Sequence, residues 1–297
     1  MKIEDSPKVL IIGADGYVGS AVYAKISKRF ETTRIDLHHY KETNFPGFDV
    51  IINLAAHSSV ALCQLFPDSA QYNNLTRIEK ILGDLSSNQY LIHASSASVY
   101  GIGSHESKES DLLATPSNLY DETKMAADEL IYSSMESGKR VTSLRFGTVS
   151  GLSSTTRVDL VMNAMVMNAK SNGEISVINP EMRRNLLFID DLAEAILRLV
   201  NINAFGIFNL GSQNLTIGSL ANAISKMYPS KLNISQSADL SPFDFHLDTS
   251  KIEDIIGNYR VTTLAKTISE LWEGLNESIH SRANVHGPHP MLDMQLN

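Results

Sequence analysis

The sequence predicts an α/β protein: a doubly wound parallel sheet with a smaller α+β lobe toward the C-terminus. Three observations carry that prediction. Short, continuous apolar runs alternate with longer amphipathic stretches through the first half of the chain, as expected for strands buried on both faces and joined by helices. A glycine-rich turn, Gly13-Ala-Asp-Gly16-Tyr-Val-Gly19, falls directly between the first apolar run and the first amphipathic stretch. Beyond about residue 150 the alternation gives way to shorter strands and a Met-rich helical stretch.

Taken in order, Lys8–Ile12 reads as a buried strand, and the stretch to about Phe30 reads as a helix. Thr33–Leu37, Asp49–Leu54, Gln89–Ala94 and Val141–Phe146 read as further strands. Helical patterns at about 68–84 and 118–137 lie between them, the second stopped by Gly138. Right-handed crossovers then wind the sheet in both directions. Residues 1–150 are assigned to this doubly wound domain, and 151–280 mainly to the smaller α+β lobe. Within the second part, Ser150–Thr156 is loop-like, Val158–Lys170 helical and Ile175–Ile178 a strand. Asp190–Val200 and Ile217–Met227 are helical, with Gly206–Leu210 a strand between them, and the chain is expected to return to the first domain at about 186–211. Residues 281–297 carry His286 and His289 but no periodic pattern, and are expected to be a flexible tail rather than a metal site.

Composition narrows the function classes. The chain has 297 residues, 43% hydrophobic and 20% charged, as in an ordinary soluble domain. A net charge of −8 without any Lys/Arg block argues against nucleic-acid or anionic-membrane partners. No apolar run approaches the roughly 18–20 residues that span a bilayer, and Val9–Ile12 is too short for a signal-peptide core. The lone Cys63 excludes an internal disulfide framework and fits a reducing compartment, so a cytoplasmic protein is expected.

The glycine turn is the first element with chemistry in it. Glycines let the chain turn tightly and let backbone approach a pyrophosphate, which then rests on the helix N-terminus. Asp36, near the end of the second strand, is placed to accept hydrogen bonds from an adenosine ribose and to repel a 2′-phosphate. It favours NAD over NADP, although Arg34 and the nearby histidines argue the other way. Tyr120 and Lys124 stand at i and i+4 of a helical pattern, on one face. A neighbouring ammonium lowers a phenol's pKa, which would make Tyr120 a general base for a hydroxyl proton.

With these residues in view, the chain resembles the extended short-chain dehydrogenase/reductase family, in particular its NAD-dependent nucleotide-sugar epimerases and dehydratases. The resemblance covers roughly residues 8–255 and rests on five ordered segments. They are the glycine turn, Asn53-Leu-Ala-Ala56, Ser95-Ser-Ala-Ser-Val-Tyr-Gly101, Tyr120/Lys124 and Arg184-Asn-Leu-Leu-Phe-Ile-Asp-Asp191. It implies a Rossmann domain and a Ser96/Tyr120/Lys124 catalytic set. It implies cofactor contacts from Gly13, Gly16, Tyr17, Val18, Gly19, Leu54, Ala55, Ala56, Asn73, Tyr120 and Lys124, beside Asp36. It also implies a nucleotide-sugar substrate held by Ser96, Asn163 and Arg184, no metal, and a homodimer formed through helices at about 72–84 and 118–137.

Departures from the family pattern narrow the reaction. The dehydratases carry an Asp-Glu pair after the serine, where this chain has Ala97 and Ser98, so dehydration is disfavoured. A cysteine expected at Ser98 for double epimerisation is also missing. Arg145-Phe-Gly-Thr148 lacks the family's closing asparagine, and His246 stands in place of an arginine before Asp248-Thr-Ser-Lys251. The segment from Asp36 to Asp49 is short, and resembles that of the sugar-nucleotide 4-ketoreductases as much as that of the epimerases. An epimerase or dehydrogenase therefore leads, with a nucleotide-keto-sugar reductase second and a non-catalytic nucleotide-sensing scaffold third.

Overall fold

The computed structural model describes residues 6–35, 45–237 and 243–275. Asp36, most of the short segment after it and the tail at 281–297 lie outside the described residues.

The first half runs β1 (Val9–Ile12), α1 (Tyr17–Ile26), β2 (Thr32–Ile35), β3 (Val50–Asn53), α2 (Val60–Leu65) and α3 (Pro67–Gln71). A π-helical turn (Tyr72–Thr76) leads into α4 (Arg77–Asp84), then β4 (Tyr90–Ser96) and a 3₁₀ turn (Ala97–Tyr100). β5 (Ile102–Ser107), α5 (Leu119–Glu136) and β6 (Arg140–Phe146) complete it. The second half runs β7 (Thr148–Ser150), α6 (Val161–Asn172), β8 (Glu174–Ile178), β9 (Arg183–Phe188), α7 (Ile189–Ile202) and β10 (Gly206–Leu210). It ends with β11 (Gln213–Thr216), α8 (Ile217–Met227), β12 (Lys231–Ser235), β13 (Asp244–Leu247), α9 (Ser250–Ile256) and α10 (Leu264–Gly274).

The central sheet has the order β10-β6-β4-β3-β1-β2, with every pair parallel. The reversal at β1, with β2 on one side and β3 on the other, makes it doubly wound, and its largely apolar strands follow from cover on both faces. On one face Val9, Ile11, Ile52 and Ile92 pack with Val22, Ile26, Leu192 and Ile196 of α1 and α7. On the other, Leu10, Ile51, Leu91 and Val141 meet Ile78, Ile81, Ala127 and Ile131 of α4 and α5. A separate cluster built around Met162, Val166, Leu186, Leu220 and Leu271 holds α6, α8 and α10. The strand at 206–210 reaches back to pair with β6.

Two local features place the site. The helix expected over about 68–84 is interrupted by the π turn, and the wider turn faces both Asn73 and Asn74 inward at 2% exposure. β5 and β13, distant in sequence, pair in parallel and bring residues 244–247 beside the segment that follows the 3₁₀ turn. Among the described residues, no helix is long and apolar enough to cross a membrane.

Candidate active site

The carboxyl ends of β1, β3 and β4 open on one edge of the sheet, where a doubly wound fold binds its ligands. Gly13 turns there with φ +83°, and a Cβ on it would lie 2.8 Å from Ala55 N. The glycine turn and the Leu54–Ala56 wall are thus in direct backbone contact. A Cβ on Gly19 would lie 1.9 Å from Gly13 O, so α1 packs on the turn only with glycine there. Gly16 is the N-cap of α1, makes no side-chain cap, and would bring a Cβ only to 3.4 Å from Gly13 O. The first N–H groups of α1 therefore line the edge without a capping side chain in front of them.

The side chains of Tyr17 and Val18 are engaged within the protein. Val18 packs against the core, and the Tyr17 hydroxyl donates to Gly151 O at 2.8 Å. Burial pushes the Tyr17 pKa up, opposed by a hydrogen bond from Asn163. Asn163 is fully buried and engaged within the protein: its Oδ1 accepts from Gly151 N at 3.1 Å. Its Nδ2 donates to Tyr17 Oη at 3.2 Å and to Arg157 O at 2.8 Å.

Ser96 ends β4 and caps the 3₁₀ turn, its Oγ accepting from Ser98 N at 3.2 Å. α5 begins beyond it because Asn118 Oδ1 accepts from Asp121 N at 3.0 Å, and Asp121 and Glu122 suit the positive end of the helix dipole. This start turns half-buried Tyr120 and buried Lys124 toward β4. Lys124 Nζ donates to Ala94 O at 2.8 Å and lies 6.0 Å from the Tyr120 ring centre. Burial lowers the Lys124 pKa from 10.5 to about 8, against the pull of Asp128.

The Tyr120 pKa differs from the sequence expectation. Burial raises it; the neighbouring Ser96 hydroxyl and the charge of Arg157 act in the opposite direction.

Asn73 donates to Ser69 O at 2.8 Å and approaches His57 Nε2 at 3.4 Å, on the α3 side of the wall. Its neighbour Asn74, overlooked in the sequence, holds the site together. Asn74 Oδ1 accepts from His57 N at 2.7 Å, and its Nδ2 donates to His57 O and Thr123 Oγ1, both at 3.1 Å. Thr123 in turn donates to Tyr120 O at 2.9 Å. Arg157 was also missed; it donates to Ser58 Oγ at 2.8 Å and pairs with Asp159, linking the wall to the segment before α6. Arg157 and Asn163 share one motif, and nothing in the spacing separated their tasks.

Arg184 stands apart from Ser96 and Tyr120, on β9 beside β13. It donates to Arg183 O at 2.8 Å and to Phe243 O, and burial lowers its pKa against the charge of Asp244. Arg183 pairs with Asp244 at 3.1 Å and donates to Gly103 O, tying β9 to the segment after the 3₁₀ turn. His246 Nε2 contacts Leu215 O at 3.2 Å. Beneath α5, buried Arg145 pairs with Asp128 at 2.8 Å and donates to Tyr100 Oη at 2.8 Å. Among the described residues no group of His, Cys, Asp and Glu could hold a metal.

Comparison with known proteins gives consistent relatives. Residues 9–211 match the model of the NAD dependent epimerase/dehydratase family. UDP-glucose 4-epimerase from Lactobacillus helveticus is 24% identical, the match covering 84% of this chain and 91% of that protein. The solved structure of TunA, an NAD dependent NDP-hexosamine 5,6-dehydratase of tunicamycin biosynthesis, superposes with a TM-score of 0.79 at 20% identity, over 92% of this chain and 99% of that one. UDP-glucuronic acid 4-epimerase from Bacillus cereus, solved with UDP-glucuronic acid and NAD, gives 0.76 at 19% identity, over 93% and 99%. At these identities the structural likeness speaks for the fold.

Proposed function

The chain belongs to the NAD dependent epimerase/dehydratase family, and on that premise we propose that it is a nucleotide-sugar epimerase or dehydrogenase using NAD. The observation that carries the reading is the meeting of Gly13 with Ala55 on the same sheet edge that presents Ser96, Tyr120 and Lys124. The cradle fits a dinucleotide: glycines whose Cβ positions are filled by backbone, and a helix N-terminus left uncapped by side chains. Gly13, Gly16, Gly19 and the Leu54–Ala56 wall would hold it, with backbone N–H groups of Tyr17 and Val18 at the pyrophosphate. Asp36 would take the adenosine ribose, and Asn73 and Lys124 the nicotinamide end.

Bound NAD supplies the acceptor for the hydrogen that leaves the sugar carbon. Tyr120 takes the proton of the sugar hydroxyl, and Ser96 orients the oxygen by donating to it. Lys124, charged below about pH 8, holds the ribose and adds positive potential beside the reacting oxygen. Arg184 would grip the substrate diphosphate after exchanging its carbonyl partners for phosphate oxygens. Ala97 and Ser98 carry no group that moves protons near neutral pH, which favours epimerisation or oxidation over loss of water. We include in this reading a homodimer through α4 and α5, whose neighbourhood exposes Tyr72 and Tyr132.

Mass spectrometry of the purified protein after denaturation tests the reading. Retained NAD supports an epimerase that returns hydrogen internally. A protein free of nucleotide that consumes added NADH on a keto-sugar favours the second reading, a reductase, which the thin substrate grip also suits. A protein that neither retains nor binds either dinucleotide refutes both.

A further inference from the structure

The segment between β7 and α6, Gly151-Leu-Ser-Ser-Thr-Thr-Arg157, is rich in small and hydroxyl residues and has no helix or strand period. Its composition makes a loop, and its hydrogen bonds make a closed one. Asn163, fully buried on α6, ties the two ends together: Gly151 N donates to its Oδ1 at 3.1 Å, and its Nδ2 donates to Arg157 O at 2.8 Å. Inside, Ser153 N donates to Thr156 Oγ1 at 2.8 Å, and Thr156 Oγ1 donates to Ser153 O at 2.7 Å. Loops with joined ends, packed by their own side chains, are compact bodies rather than slack chain.

This loop is bonded to both rims of the cradle. On the glycine-turn side, Tyr17 Oη donates to Gly151 O at 2.8 Å, Thr155 Oγ1 donates to Asp15 O at 3.3 Å, and Ser20 Oγ lies 3.5 Å from Thr155 Oγ1. On the wall side, Arg157 Nη1 donates to Ser58 O at 3.1 Å and to Ser58 Oγ at 2.8 Å, two residues beyond Ala56. Arg157 is aimed there because its Nε donates to Asp159 Oδ1 at 3.0 Å, which holds the planar guanidinium by its other edge. At the near end Gly151 has φ +128°, and a Cβ on it would lie 2.8 Å from Ile189 Cγ2. That conformation favours glycine and gives the loop a point to turn about.

We propose that residues 151–157 are a strap across the mouth of the dinucleotide cradle, which opens to admit the cofactor and closes to hold it. The strap presupposes the dinucleotide reading above. The first N–H groups of α1, where a pyrophosphate would rest, lie between Asp15 and Ser20, the two residues that Thr155 meets. A group seated there, with the Leu54–Ala56 wall on its other side, is spanned by a loop fixed to both. The bonds at the base of the strap, Gly151 to Asn163 and to Tyr17, are buried, whereas those of Thr155 and Arg157 to the rims are exposed. Exposed hydrogen bonds exchange with water at small net cost, so the rims part first and the base stays as the hinge. Opening therefore takes Thr155 off Asp15 and Arg157 off Ser58 while Asn163 keeps both ends of the loop in place. A strap of this kind suits a reaction that returns hydrogen to the sugar within one cofactor-binding event, because a reductase must release and rebind its nicotinamide in every turnover. It thus favours the epimerase among the readings above.

Stopped-flow fluorescence of NADH tests the strap on the full chain, stripped of any retained dinucleotide. Entry is followed on mixing NADH with the protein, and exit by chasing bound NADH with excess NAD. Thr155→Val frees one rim and Arg157→Ala the other. Lys25→Met is the control: it breaks the 2.8 Å ion pair of Lys25 with Glu194, a tie between α1 and α7 that the strap does not touch. All the rim bonds run within the protein, so the strap shuts with or without ligand and slows entry and exit alike. Arg157→Ala should therefore raise the association and dissociation rates together, by about tenfold, with the Kd shifting less than either rate. Thr155→Val should raise both severalfold, and Lys25→Met neither. Rates unchanged in both rim variants overturn the strap, as does a rise in dissociation alone, which would make these residues direct ligands rather than a gate. An equal rise in Lys25→Met would mean general loosening and also overturns it. Thr155→Val is nearly isosteric and decides the question by itself if Arg157→Ala does not fold. A wild type that binds neither NADH nor NAD refutes the dinucleotide reading and the strap together; one that binds NADH at rates indifferent to the rim variants refutes the strap alone.

Discussion

Replacing Lys124 with methionine should stabilise the nucleotide-free protein near neutral pH while removing its activity. Lys124 is 3% exposed, and burial brings its pKa from 10.5 to about 8. An unfolded lysine titrates near ~10.4, so a gap of about 2.5 units sets the cost of carrying the buried ammonium at roughly 3 kcal/mol. Methionine removes that cost but also the hydrogen bond to Ala94 O, worth about 1 kcal/mol. The net gain below about pH 8 is then ~1–2 kcal/mol, a rise of a few degrees in Tm for a chain of this size. Between about pH 8 and 10.4 the unfolded wild type keeps a proton that the folded protein has released, so wild-type stability climbs with pH and the advantage of the variant shrinks. Urea unfolding of both proteins at several pH values from about 7 to 10 measures this difference directly. A variant less stable than wild type at neutral pH, with a gap that does not change across the series, refutes the account of Lys124.

Three further outcomes follow from the same geometry. Gly19→Ala should abolish dinucleotide binding by calorimetry and lower Tm, because its Cβ meets Gly13 O at 1.9 Å; Gly16→Ala, whose nearest contact is 3.4 Å, should stay folded. Asn163→Ala should cost about 2–4 kcal/mol in denaturant unfolding and leave substrate KM within a few fold, since its bonds run to Gly151, Tyr17 and Arg157. A tenfold rise in KM at unchanged stability would instead make Asn163 a substrate ligand. Arg157→Gln should move the acidic limb of the pH–rate profile upward, because the guanidinium lowers the pKa of Tyr120 and its loss leaves burial unopposed on that side.

The sequence made the central sheet legible because its strands are built on short apolar runs, unbroken in β1 and interrupted in β6 only by Thr142, Ser143 and Arg145. β1, β3, β4 and β6 fall where those runs are, and α5 spans Leu119–Glu136 against an expected 118–137. The elements of the second half were harder to read. β11 and β13 have four residues each, too few for a period, and β13 exists as a strand only because β5 offers it a distant edge. The π turn leaves no signature in composition, so the inward turn of Asn74 beside Asn73 was invisible. At the site, spacing identified Tyr120 and Lys124 as a pair but could not say where the ammonium points. Its turn toward Ala94 O depends on how α5 packs on β4. Arg157 was hidden for the same reason: it acts on Tyr120 through tertiary contact.

The most direct test compares the wild type with Tyr120→Phe, both loaded with NAD to the same occupancy. A panel of nucleotide sugars is added, and turnover is followed by nicotinamide absorbance and by product analysis. The account predicts that the variant binds NAD as tightly as the wild type and loses nearly all turnover, by a factor of about 100 or more. Turnover undiminished at equal NAD occupancy would contradict it.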